Sequence, residues 1–250
     1  MGVNDLNWYC LPTLGKEGDL VSLSGDEWHH CFKVLRLEAG DSIVLTDGLG
    51  QCKMGTIRTV TKHEGLIELT DDLRAEFRNP RNYKVSIGIA PTKNIDRTEF
   101  AIEKLVEIGV DEICFLECKH AERHHLRIDR MEKIVVAAAK QSRKIVFPAL
   151  VDLTSPEQYV KLKKSSQPDV NVLCCHLDKE SKSITENYLA GQDVVMLVGP
   201  EGGFAQDEID ALRCLNARIV QLGPFRLRVE TAAITACVNI HLLNEMNTKK

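Results

Sequence analysis

The chain has 250 residues, with 32 Lys and Arg against 36 Asp and Glu and a formal net charge of −4. Hydrophobic residues make up 44% and charged residues 27%, a globular balance that excludes a disordered chain, and the length allows one large or two modest domains. No apolar run approaches the ~18–20 residues of a membrane span, and Met1-Gly2-Val3-Asn4-Asp5 lacks the basic start and apolar core of a signal peptide. Nine cysteines, an odd number with no C-x-x-C pair, read as reduced core thiols of a cytoplasmic protein.

The first 74 residues carry 7 basic and 12 acidic side chains and have the rhythm of a small β domain. Short stretches at 19–23, 42–46, 55–60 and 66–69 alternate at period two, separated by Ala39-Gly40-Asp41 and Asp47-Gly48 turns. Strands this short and this close predict a small barrel, interrupted by one amphipathic piece from Asp26 to Leu37. Residues 75–82, polar and containing Pro80, read as a linker to a second domain over 83–250.

Beyond the linker, strands alternate with helices. Tyr83–Ala90, Glu112–Leu116, Val170–Cys174, Val194–Val198 and Arg218–Leu222 are strand candidates. Helices are expected from an Asp96 cap to Gly109, from an Asp129 cap to about Arg143, over 207–215 and over 229–245. This alternation implies a mainly parallel sheet covered on both faces, an α/β class. Residues 75–147 carry 14 basic and 11 acidic side chains, so positive charge concentrates in the middle of an acidic chain. Its densest stretch, Lys119 to Arg130, also holds His120, His124 and His125, at no familiar metal-ligand spacing; no metal is expected.

Two glycine-bearing loops follow buried strands in the last third. Val198-Gly199-Pro200-Glu201-Gly202-Gly203-Phe204 is one, and Leu222-Gly223-Pro224-Phe225-Arg226-Leu227-Arg228-Val229-Glu230-Thr231-Ala232 is the other. Open α/β sheets bind ligands outside the carboxyl ends of their strands, where both loops would lie. Neither has a dinucleotide or P-loop phosphate fingerprint, so a stiff backbone cradle for another ligand is expected.

Together these two loops resemble the signature of the ribosomal RNA small-subunit methyltransferase E family, SPOUT-class enzymes that methylate N3 of a uridine in 16S rRNA with S-adenosylmethionine. His30, Val34-Leu35-Arg36, Gly40-Asp41 and Asp47-Gly48 match its N-terminal PUA-like domain. Lys93, Arg97, Lys104, Glu107-Ile108-Gly109-Val110, Gln141-Ser142-Arg143, Pro148 and His176 match the region after it. The chain departs from the family at Phe225, where Arg is usual, at Arg226, where an aliphatic residue is usual, and at Val229 in place of Thr.

The resemblance implies a PUA-like RNA-binding barrel over residues 1–74 and a SPOUT domain threaded as a deep trefoil knot over 83–250. It implies that His176, Leu197, Val198, Gly199, Glu201, Gly202, Leu222, Gly223, Leu227, Thr231 and Ala232 line the cofactor site. It also implies a homodimer through the C-terminal domain, to which Ile234, Val238 and Leu242 could contribute, acting on 16S rRNA within the small ribosomal subunit. Uridine N3 must lose a proton, and a cation near the developing anion would favour that loss. Arg228 is the candidate for that charge, with Glu230 orienting it or capping the last helix. Arg36, Lys93, Arg97, Lys104, Arg123, Arg127 and Arg143 are candidate RNA contacts. Action on another RNA such as tRNA, or RNA binding without catalysis, are the alternatives that the sequence leaves open.

Overall fold

The computed structural model describes residues 3–177 and 181–248. It divides into two compact units, one formed by the chain up to Pro80 with Val136–Phe147, the other by Arg81–Val135 with the chain from Pro148 onward.

In the first unit β1 (Trp8–Cys10), β2 (Leu20–Ser24), β3 (Ser42–Thr46), β4 (Cys52–Val60) and β5 (Glu64–Asp72) form one sheet in the order β1-β3-β4-β5-β2. Its pairs are antiparallel except β1 with β3. Successive strand residues point to opposite faces. Tyr9, Ile43 and Leu45 therefore join Leu23, Trp28, Phe32, Ile57 and Ile67 in one cluster, while Trp8 and Val44 join Cys52, Leu73 and Ile145 in another. Both faces carry apolar cover, and β1 and β2 stand at the edges of a half-barrel, where the sequence pattern suggested a small barrel.

The amphipathic piece from Asp26 to Leu37 forms a short α1 (Gly25–Trp28) running into a π-helical turn, His29–Val34. Just past the turn and its cap Leu35 stands Arg36, a non-glycine residue with φ of 55°. A short α2 (Arg74–Phe77) follows the sheet. Residues 136–147 are part of this unit through backbone contacts: Gly50 N–H donates to Ile145 O and Phe147 N–H to Gly48 O, each at 2.8 Å. The Phe147 ring fits only because residue 48 is glycine, whose added Cβ would lie 2.6 Å from it.

The second unit holds β6 (Val85–Ile89), α3 (Ile95–Ile108), β7 (Glu112–Leu116), the start of α4 (Ile128–Gln141), β8 (Ala149–Thr154), α5 (Pro156–Ser166) and β9 (Asn171–Cys175). It continues with β10 (Lys182–Ser183), α6 (Ile184–Asn187), β11 (Val194–Val198), α7 (Gln206–Cys214), β12 (Arg218–Gln221) and α8 (Val229–Thr248). Its seven strands run in the order β10-β12-β9-β11-β6-β7-β8, with every neighbouring pair parallel. All five residues of β6 and all five of β11 are buried, as a parallel sheet covered on both faces requires. Helices α3 and α8 pack together, and α8 also packs on β6 and β11.

Several elements escaped the sequence pattern, β8 and α5 among them. Strand β8 lies at the sheet edge and is only partly covered, so its alternation is weak. Helix α5 is polar along much of its length, although Ser155 and Pro156 mark its start: the Ser155 hydroxyl accepts from Gln158 N–H at 3.3 Å. The helix starts also differ by a residue or two. Asn94, not Asp96, caps α3 by accepting from Asp96 N–H, and Asp129 lies within the first turn of α4. Gly109 ends α3 as expected, in the left-handed region at φ 109°.

Gly88 sets the closest approach in this sheet. A Cβ there would lie 2.9 Å from Leu197 and 3.1 Å from Leu116. Gly88→Val should lower unfolding free energy by about 1–3 kcal/mol through overpacking, checked by urea denaturation of the two proteins.

Candidate active site

Because the strands of the second unit are parallel, the loops that leave their carboxyl ends gather along one edge of the sheet. From β6 the chain steps outward to β7 and β8, then returns on the other side of β6. The reversal falls between β6 and β11, and such a switch point opens a crevice at the strand ends. The loops after β6 and β11 meet there: Lys93 N–H donates to Glu201 Oε1 at 3.3 Å.

Glu201 also ties this pair to the loop after β12, because its carbonyl accepts from Arg226 Nη2 at 3.1 Å. One residue thus links three loops, by side chain to one and by backbone to another. The segment after β7 adds two more ties. Arg123 Nε donates to Thr92 O at 3.1 Å and its Nη2 to Lys93 O at 2.8 Å. His120 Nδ1 lies 3.2 Å from Gly203 O. A Cβ on Gly202 would come within 3.0 Å of the His120 Cβ, so glycine at 202 lets these segments touch.

The two glycine loops leave backbone accessible. Gly203 has φ of 75° and Gly223 has φ of 149°, conformations that favour glycine, and nothing lies within 4 Å of where a Cβ would stand on either. Among the described residues, the backbone N–H groups of Gly223, Phe225, Arg226 and Leu227 donate to no other backbone group. Backbone in these two loops is thus open and free to meet a polar ligand.

The predicted cofactor residues come together at this edge. Leu197 and Val198 are the buried end of β11, and Gly199, Glu201 and Gly202 follow them. Leu222, Gly223 and Leu227 form the loop after β12, with Thr231 and Ala232 in the first turn of α8. His176 directly follows β9, and its N–H donates to Val220 O at 3.0 Å. Arg228 is exposed immediately before α8, and Phe225 is 78% exposed. Glu230 is largely covered and stands 3.9 Å from Arg97, which projects from the first turn of α3.

The candidate RNA contacts divide. Lys93 lies at the crevice, its ammonium 2.7 Å from Glu122, whose hydrogen bond and charge raise it above the ordinary lysine value. Arg123 has its guanidinium on two carbonyls of the same crevice. Lys104 sits further along α3, held and raised by Glu103 and Glu107. Arg127 pairs with Asp129, whose carboxyl it lowers. Arg36 and Arg143 belong to the first unit, and both adopt positive φ, 55° and 57°.

The roles of His120 and Arg226 in joining the loops were not read from sequence. His120 stood out only as part of a histidine-rich run, and Arg226 only as a departure from a family pattern. Buried thiols in this unit are inert by environment: burial pushes Cys118 and Cys174 up from the ordinary thiol value. Among the described residues, no three His, Cys, Asp or Glu side chains group in a way that could hold a metal ion, and no helix is long and apolar enough to cross a membrane.

Comparison with known proteins agrees with this geometry. Residues 79–241 match the family model of the RNA methyltransferase domain, and residues 23–69 match that of the RNA methyltransferase PUA domain. The chain is 28% identical over 231 residues to the ribosomal RNA small subunit methyltransferase E of Rickettsia conorii, covering 91% of each. It superposes on the crystal structure of a probable rRNA-methyltransferase from Porphyromonas gingivalis with a TM-score of 0.87 and 34% identity, covering 97% of this chain and 100% of that one. A putative methyltransferase of Legionella pneumophila, solved with bound SAM, gives a TM-score of 0.82 at 25% identity over 95% of this chain and 97% of that one. The chain belongs to the RNA methyltransferase domain family and, within it, to the ribosomal RNA small subunit methyltransferase E group.

Proposed function

We propose that this protein transfers the methyl group of S-adenosylmethionine to N3 of one uridine in 16S rRNA, within the small ribosomal subunit in the cytoplasm. The observation that carries this reading is the crevice where three loops meet through Glu201, with open space beside Gly203 and Gly223 and unengaged backbone donors in the β12 loop. A bound SAM in the Legionella pneumophila relative and the small-subunit rRNA methyltransferase name of the Rickettsia conorii relative support the cofactor and substrate classes.

These residues fit the cofactor. The apolar ends Leu197, Val198, Leu222 and Leu227 would flank its adenine, the glycine backbone would approach it closely, and His176, Glu201, Thr231 and Ala232 would border the same crevice. When bound, it supplies a methyl group already activated on a sulfonium. The work left to the chain is to hold uridine N3 in line and to favour loss of its proton. Arg228 is exposed at the start of α8, where the helix N-terminus adds its own partial positive charge, so an anion spreading onto the uracil carbonyls would be stabilised there. Glu230 would act one step away, by fixing Arg97.

Residues 1–74 would extend the grip on folded RNA, with Arg36 as a phosphate contact, while Lys93, Arg97, Lys104, Arg127 and Arg143 supply local charge on an acidic chain. Arg123 would support RNA binding by shaping the 92–94 loop. The insertion of β11 between β6 and β9, which the chain lays down earlier, is the kind of crossing a deep trefoil knot needs. Val238, Leu242 and Met246, spaced by four on α8 and 43%, 49% and 62% exposed, support a homodimer through this unit.

Purified protein with S-adenosylmethionine should methylate 30S subunits or free 16S rRNA at uridine N3, read by mass spectrometry of nuclease fragments; methylation of tRNA alone would move the substrate. Arg228→Ala should lower kcat by about 100-fold or more, with cofactor affinity by calorimetry unchanged within a few-fold. Leu242→Asp should convert the dimer to a monomer in analytical ultracentrifugation; a wild-type protein that sediments as a monomer would remove the dimer.

A further inference from the structure

Removal of the N3 proton needs an acceptor, and the carboxylates of the crevice are engaged. Glu201 accepts from Lys93 N–H, Glu122 holds the Lys93 ammonium, and Glu230 faces Arg97. Asp207 is bound to Lys119, which lowers its carboxyl, and Glu208 accepts from the N–H groups of Lys119 and Ala205.

His120 is placed differently. Its Nδ1 lies 3.2 Å from the carbonyl of Gly203, and a carbonyl can only accept, so Nδ1 carries a proton, and in the neutral ring Nε2 keeps its lone pair. The side chain is exposed, and among the described residues Nε2 has no protein partner. The tether fixes the ring on the glycine loop itself, and the close approach of the His120 Cβ to Gly202 fixes the main chain beside it. His124 and His125, on the same segment, have no such bond to the loop. His176 borders the crevice too, but nothing among the described residues sets its tautomer.

We propose that His120 is the general base of the reaction, with Nε2 taking the N3 proton of the target uridine. This rests on the reading of the protein as a uridine N3-methyltransferase. In the step, the N3–H bond breaks, the proton forms a bond to the Nε2 lone pair, and the electron pair of the broken bond stays on N3 for methyl transfer. The imidazolium keeps its Nδ1–H bond to Gly203 O throughout and returns the extra proton to water.

Two substitutions separate a base from a tether. In His120→Asn the side-chain amide donor stands close to where Nδ1 was, so the bond to Gly203 can persist while Nε2 is lost. In His120→Gln the amide extends towards the Nε2 position and the tether is lost. His120→Asn should bind S-adenosylmethionine within about twofold of wild type by calorimetry, with KM for RNA little changed, yet lose about 100-fold or more in kcat. His120→Gln should lose cofactor affinity as well. Nitrogen-15 NMR of the wild-type imidazoles should report the Nδ1–H tautomer for His120. His120→Asn that methylates within about threefold of the wild-type rate, or a predominant Nε2–H tautomer, overturns the base while leaving the enzyme's reading intact. Wild-type protein that methylates no uridine N3 overturns both.

Discussion

The structure depends on β11 lying between β6 and β9. All five of its residues are buried, so the strand is covered on both faces as well as paired on both edges. A strand in that position cannot shift register without exposing apolar side chains and leaving backbone groups unpaired. It therefore holds the loop after it at a fixed height over the sheet. Glu201 then passes that placement to the neighbouring loops, to Lys93 by its carboxylate and to Arg226 by its carbonyl.

Rigid strands under connected loops suit a reaction that asks for alignment more than for chemistry from side chains. Burial pushes the Cys118 and Cys174 thiols of the second unit up, so neither is a reactive nucleophile for the crevice. What it offers is backbone at Gly203 and Gly223, a positive charge at the start of α8, and an imidazole pinned to the glycine loop. The charge of the chain acts on a different scale. A net −4 says little about binding RNA when cations sit beside the crevice and many of them are aligned by carboxylates.

Much of this was legible in the sequence where local signals and tertiary burial agree. Continuous apolar runs at 194–198 and 113–116 gave buried parallel strands, and Gly109 stopped a helix where its φ of 109° required glycine. The two glycine loops pointed to the site because their motif is a property of a few adjacent residues. Three things were not legible. Strand β8 has no clear alternation because it sits at an edge. The second apolar cluster of the first unit includes Ile145, remote in sequence. The ties made by Arg123 and His120 join residues about 30 and 80 positions apart, which no local spacing encodes.

Residues 136–147 carry a consequence for the order in which the protein is made. Ile145 packs with Trp8, Val44, Cys52 and Leu73, Lys140 is 2.5 Å from Glu27, and Phe147 lies over Gly48. The first unit is thus discontinuous along the chain, and its last apolar piece is synthesised only after β6, α3 and β7 of the second unit have been made. A nascent chain ending near Pro80 would lack the Ile145 part of the cover on the Trp8 face of its sheet. The N-terminal unit, first to emerge from the ribosome, is therefore not the first that can be completed, and its maturation waits on chain that passes through its neighbour.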